Sequence, residues 1–156
     1  MNLKDYKPLH IIGLSTEEAS INLFSEIGGE GIQGQAFADE MSFLNDVMQV
    51  DTINIHLASD GGSVSEGLII YHSILGSKAH TNIFIEGVAA SMGGVIAMAG
   101  DRIHMTDASQ LMIHLPHGGD GSENALKAIS ALTETLLVTI IYKLKKSTVR
   151  QSIAIG

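Results

Sequence analysis

Ile53, Ile55 and Leu57 alternate with Asn54 and His56, the period of two expected of a strand with one buried face, and Asp51-Thr52 opens it. Upstream, from Gln35, the apolar residues Ala36, Phe37, Met41, Leu44, Val47 and Met48 recur at spacings of three and four, which predicts a helix. A second helix is predicted through Leu68, Ile69, Tyr71, His72 and Leu75, with Gly76 placed as its C-terminal cap. Thr81, Ile83 and Ile85 predict another strand over His80 to Glu86, ended by Gly87. Ser91 to Ala99 reads as a short buried helix, and Arg102–Met105 and Gln110–His114 as short strands around a turn at Asp107. Ser122 is a credible N-cap for a long helix reaching Lys146, whose apolar residues include Ala125, Ile129, Leu132, Leu136, Ile140 and Leu144. The first twenty residues have weak periodicity and read as an arm or loop; Ile21 to Phe24 reads as a short strand, opening a domain over 21–156. Strands alternating with helical segments imply βαβ units and a parallel sheet, so the fold class is α/β.

Composition narrows what such a domain does. The 156 residues suit one domain, and 45% apolar content belongs to a folded chain. Charged residues make up only 17%, low for a monomer, which points to self-association. Nine Lys and Arg against 17 Asp and Glu give a net charge of −8, and aromatics are 4% with no Trp. Nucleic acid is therefore not an expected partner, since a basic face and stacking platforms are both missing. The absence of Cys removes disulfides, thiolate catalysis and zinc-thiolate sites, and agrees with a cytoplasmic location. The charge-free run from Gly87 to Ala99 is shorter than the about 20 apolar residues of a membrane span, so a membrane is not expected either.

Two glycine-rich junctions stand at the ends of predicted strands, Ser59-Asp60-Gly61-Gly62-Ser63 and Gly87-Val88-Ala89-Ala90-Ser91-Met92-Gly93-Gly94. Ligands of open α/β sheets bind at such ends, and paired glycines let backbone N–H groups approach them. Ser91 has small neighbours that leave its hydroxyl accessible, the Met92 N–H is placed to hold an oxyanion, and His114 near a strand end is a candidate base. Other readings stay open on these residues alone. Glycine pairs are mostly turns, a serine at a helix start is mostly an N-cap, and Ala90-Ser91-Met92 is not the G-x-S-x-G elbow. Neither junction has P-loop or G-x-G-x-x-G spacing, and the histidines show no ligand spacing, so neither a metal nor a cofactor is expected.

Gly87-Val88-Ala89-Ala90-Ser91-Met92-Gly93 resembles the catalytic-serine motif of the ClpP peptidases, and Met112-Ile113-His114-Leu115-Pro116 resembles their catalytic-histidine motif. Ser59-Asp60-Gly61-Gly62-Ser63-Val64 is similar to their glycine loop, and Ile21-Asn22-Leu23 with Glu26-Ile27 to their opening strand, all in the family's order and spacing. The resemblance implies the ClpP/crotonase fold, stacked βαβ units with a long C-terminal handle helix. It implies a serine endopeptidase acting on unfolded polypeptide, with Ser91 as nucleophile, His114 as base, and the N–H groups of Gly62 and Met92 as oxyanion hole. Substrate would lie extended between Ser63, Val64 and Ser65 on one side and Pro116, His117, Gly118 and Gly119 on the other. It further implies a homo-oligomer, a heptameric ring or stacked rings, working with an AAA+ unfoldase or, in a phage or prophage branch, with capsid proteins.

The sequence departs from the family pattern at Asp60, where a proline is usual, and in a shortened stretch between Ala99 and His114, which is closer to the phage branch. The family's triad aspartate falls beyond Gly156, and Asp101, Asp107 and Asp120 do not match its position. The expectation is a truncated chain or one without that acid, and the alternative function is a catalytically incomplete ring or scaffold subunit. A crotonase acting on acyl-CoA is disfavoured by the serine and histidine motifs. A Ser–Lys enzyme is disfavoured because Lys78 and Lys127 lie in no recognisable motif.

Overall fold

The computed structural model describes residues 8–114 and six helical positions beyond them, Lys127, Ser130, Ala131, Glu134, Leu137 and Val138. These six fall within the predicted long helix, whose remaining positions and ends lie outside the described residues.

The elements in chain order are β1 (Ile11–Leu14), β2 (Glu18–Leu23), α1 (Gly34–Ser42) continued by a π-helical turn over Phe43–Met48, β3 (Thr52–Ser59), α2 (Val64–Leu75), β4 (His80–Ala90), α3 (Met92–Ala97), β5 (Arg102–Met105) and β6 (Gln110–Met112). They build one sheet in the order β1-β2-β3-β4-β5, with β6 also on β4. All pairings are parallel except the antiparallel β1 with β2. The α/β reading holds. Ile53, Ile55 and Leu57 are fully buried, as the alternation required, and share the core with Ile21, Leu23, Ile83 and Ile85 of the flanking strands.

Part of the expected arm is strand. Ile11–Leu14 pairs with β2 at the sheet edge, and its outer residues are exposed, so no alternation marks it in the sequence. The segment is latched to the body by Glu40, which is buried on α1 and accepts hydrogen bonds from the N–H groups of Leu9 and His10 and from His10 Nδ1. Burial pushes the Glu40 carboxyl up, but these hydrogen bonds and the His10 charge outweigh it and leave the group below the usual carboxylate range.

The first predicted helix has the right start but a shifted end. Phe37, Met41 and Leu44 are buried as expected, whereas Val47 is 55% exposed and Phe43 takes a core position. The π-helical turn explains this, because its wider i→i+5 spacing rotates the following side chains off the α-helical stripe. In α2 the buried face is Gly67, Ile70, Tyr71 and Ile74, so Ile69, His72 and Leu75 of the expected set point outward. Ser63 caps α2 by accepting from the Glu66 N–H at 3.4 Å, and the Glu66 carboxylate accepts from the Gly34 N–H at 2.7 Å, capping α1 in turn.

Gly87 does not end β4. The strand runs on to Ala90, and between the pairs Leu57↔Ile85 and Ser59↔Ala89 it carries two residues more than β3. Gly87, at φ +143°, sits in this bulge in a conformation that favours glycine. The bulge divides β4 in two. Asn82 to Ile85 pair with β5, and Val88 to Ala90 pair with β6.

Candidate active site

The C-terminal ends of the parallel strands converge on one cleft of about 770 Å³. Ser25 and Glu26 follow β2, Asp60 to Gly62 follow β3, Ser91 follows β4, and Met112 and His114 end and follow β6; all line it.

Ser91 stands at the sharp turn from β4 into α3 with φ 54° and ψ −119°, a conformation a residue with a side chain rarely adopts. Its N–H donates to the Met112 carbonyl at 2.8 Å, and its carbonyl accepts the Val95 N–H at 3.2 Å, the first bond of the helix. It therefore occupies the N-cap position, yet its hydroxyl makes no cap hydrogen bond. The ordinary reason for a serine at a helix start does not apply here. Although the sequence lacks G-x-S-x-G, the turn has the mechanics of such an elbow: a strained serine presented between a strand and a helix.

The glycine loop is pinned beside it. The Ile27 N–H donates to the Gly61 carbonyl and the Ser63 N–H to the Ile27 carbonyl, both at 2.8 Å, while the buried Ser59 hydroxyl accepts from the Gly61 N–H at 3.1 Å. Gly61 is at φ +100°, and a Cβ there would come within 2.7 Å of Ser91 Cβ and 2.8 Å of the Met92 nitrogen. Only glycine lets the loop lie this close to the serine. Met92 is the first residue of α3, so its N–H belongs to those a helix leaves unused. Among the described residues no backbone carbonyl accepts the Gly62 N–H.

The structure thus brings Ser91, His114, Gly62 and Val64 to one cleft and sets Met92 beside it. Ser63 and Ser65 are not among the cleft's lining residues; Ser63 is occupied as the cap of α2, and the two hydroxyls lie 3.0 Å apart. Pro116, His117, Gly118, Gly119 and Asp120 lie outside the described residues. Asp101 is held by the Thr81 N–H and hydroxyl at the first residues of β4, the opposite end of that strand from Ser91. Sequence reasoning passed over Phe24, Glu26, Val88 and Met112 as lining residues and Gly61 as a residue packed against Ser91. The strand-end rule, applied to β2 as well as to β3 and β4, would have found the first two.

A sequence model of the Clp protease family matches residues 5–151. The chain belongs to the Clp protease family. It is 32% identical over 102 residues to the ATP-dependent Clp protease proteolytic subunit of Streptococcus mutans and 34% identical over the same length to that of Streptococcus pyogenes. Each alignment covers 64% of this chain and 52% of the relative, so the chain spans about half the length of the curated relatives it matches. Among solved structures, a ClpP1 mutant from Listeria monocytogenes matches with a TM-score of 0.65 at 22% identity, covering 80% of this chain and 71% of that one. The Clp protease fold expected from the motifs is thereby established. Among the described residues of this family member, no helix is long and apolar enough to cross a membrane.

Proposed function

We propose that the protein is a serine endopeptidase hydrolysing unfolded polypeptides through an acyl-enzyme. Ser91 Oγ attacks the scissile carbonyl while His114 takes its proton. The N–H groups of Gly62 and Met92 hold the oxyanion, and His114 returns the proton to the departing amine. Water, deprotonated by the same histidine, then cleaves the ester and frees Ser91. The observation that carries this reading is the strained Ser91, whose hydroxyl does not cap its helix, opening on the cleft that His114 and Gly62 share. Family membership supports it.

The decisive experiment is intact-mass spectrometry after exposure to a fluorophosphonate, run beside Ser91→Ala. An activated serine displaces fluoride and gains one phosphonyl group, so a single adduct absent from the variant is the expected result. No adduct on folded protein would overturn the reading in favour of a catalytically incomplete ring or scaffold subunit.

The assembly we propose is a homo-oligomeric ring, heptameric or of stacked heptamers, in the cytoplasm, fed by an AAA+ unfoldase or acting on phage capsid proteins. Its support is the low charge content and the apolar surface at Leu9, Ile12, Leu14 and Leu75. Light scattering at micromolar concentration is expected to give a multiple of the chain mass, and a monomer would contradict it.

A further inference from the structure

Two carboxylates line the cleft with the serine and the histidine. Asp60 immediately precedes Gly61, the residue packed on Ser91, and Glu26 immediately precedes Ile27, whose backbone pins the glycine loop. Both side chains belong to exposed residues, and among the described residues neither carboxylate has an ion-pair or hydrogen-bond partner. Several acids elsewhere are engaged: Glu40 with His10, Glu66 with the Gly34 N–H, Glu86 with His56, Asp46 with Lys78, and Asp101 with Thr81. Glu17, Glu30, Asp51 and Asp107 share the unpartnered state among the described residues but lie outside the cleft lining. No lysine or arginine is among the described residues lining the cleft.

A concave site with acids and no fixed cation focuses a negative potential and concentrates cations. The position of Asp60 adds a second effect. It adjoins the loop assigned to oxyanion binding, where its charge opposes the negative charge developing on the substrate. A substrate ammonium or guanidinium paired with Asp60 removes that opposition, so its benefit is greater in the transition state than in the bound ground state. Phe24, Val88 and Met112 offer partly exposed apolar walls along the same cleft, suited to the methylene stem of a long basic side chain.

We propose that Asp60 and Glu26 make this cleft selective for basic polypeptide segments, with Lys or Arg flanking the bond to be cut. The catalytic part of this inference rests on Ser91 as nucleophile; the binding preference does not. The test therefore measures binding first. Dye-labelled peptides of one backbone, carrying Lys, Gln or Glu around the central bond, are titrated into the full chain bearing Ser91→Ala and followed by fluorescence anisotropy. The Lys peptide is expected to bind about five- to tenfold tighter than the Gln peptide and the Glu peptide most weakly, a value inside the span of about two- to thirtyfold that two exposed ion pairs allow. High salt should compress the series. Adding Asp60→Asn and Glu26→Gln should bring the Lys-to-Gln ratio to about twofold or less, as expected once both ion pairs are lost. With Ser91 restored, kcat/KM should follow the same order, with part of the gain in kcat. Equal binding of the Lys and Glu peptides, a preference insensitive to salt, or one that survives both substitutions would overturn the proposal. Preferential binding without any hydrolysis would leave the selectivity standing and remove the peptidase reading alone.

Discussion

The Ser91 N–H donates to the Met112 carbonyl at 2.8 Å, so the strand that ends at the candidate nucleophile and the strand that leads to the candidate base are held in one register. His114 is two residues beyond that carbonyl. Replacing it by Asn removes the base while leaving the β4–β6 pairing in place. Peptide hydrolysis and fluorophosphonate labelling are expected to fall by about a thousandfold or more, with the melting temperature little changed. Labelling at the parent rate in His114→Asn would show that another group activates Ser91.

Gly61→Ala combines two penalties, a disfavoured φ and a Cβ placed 2.7 Å from Ser91 Cβ. Displacement of the loop should cost about 1–3 kcal/mol of stability and reduce labelling about a hundredfold or more through misplaced oxyanion donors. Urea melts and labelling rates on the same sample separate the two.

Gly87→Ala isolates the first penalty. Nothing lies within 4 Å of a Cβ there, so only the backbone conformation at φ +143° is strained. A loss of about 1–2 kcal/mol is expected by chemical denaturation, with labelling of Ser91 affected less than by Gly61→Ala. A loss above the Gly61 value would mean that the bulge is packed more tightly than described.

Glu40 makes stability depend on pH with a definite sign. Its carboxyl is depressed in the folded protein, so the native state holds the ionised form more tightly than the unfolded chain does. The contribution is complete above the unfolded glutamate value of about 4.3 and is lost as pH falls through the lower folded value. Glu40→Gln should cost about 1.5–3 kcal/mol at neutral pH, the scale of a charged hydrogen-bonded group, and the gap between the two proteins should narrow below about pH 4. A constant gap across that window would show that the charge is not what latches Leu9 and His10.

The patterned centre of the molecule was legible from the chain. Ile53, Ile55 and Leu57 declare their burial because both faces of β3 have unlike neighbours, and the serine, histidine and glycine motifs carry the family without the structure. What was illegible depends on partners far away in sequence. β1 is an exposed edge with no alternation to read, Val47 is displaced by a π-helical turn that no periodicity announces, and the reach of β4 past Gly87 depends on Ser59 and β6 being there to receive it. At the site, Ser91 could be named from its neighbours and Glu26 by following β2 to its C-terminal end, but that Ile27 beside it bridges to Gly62 is a long-range pairing that the sequence does not announce.

The bulge in β4 has a consequence for how this chain tolerates changes in length. It adds an even number of residues, and a pleated strand repeats every two, so Ala89 faces the same side as Ile85. Deleting both extra residues would keep the parity and shorten the strand. Deleting one would turn Ala89 out of the core and reverse the side on which Ser91 emerges. Length variation at Glu86-Gly87-Val88 is therefore quantised: homologous chains should differ there by pairs of residues, and single insertions should be confined to sequences in which the serine no longer serves.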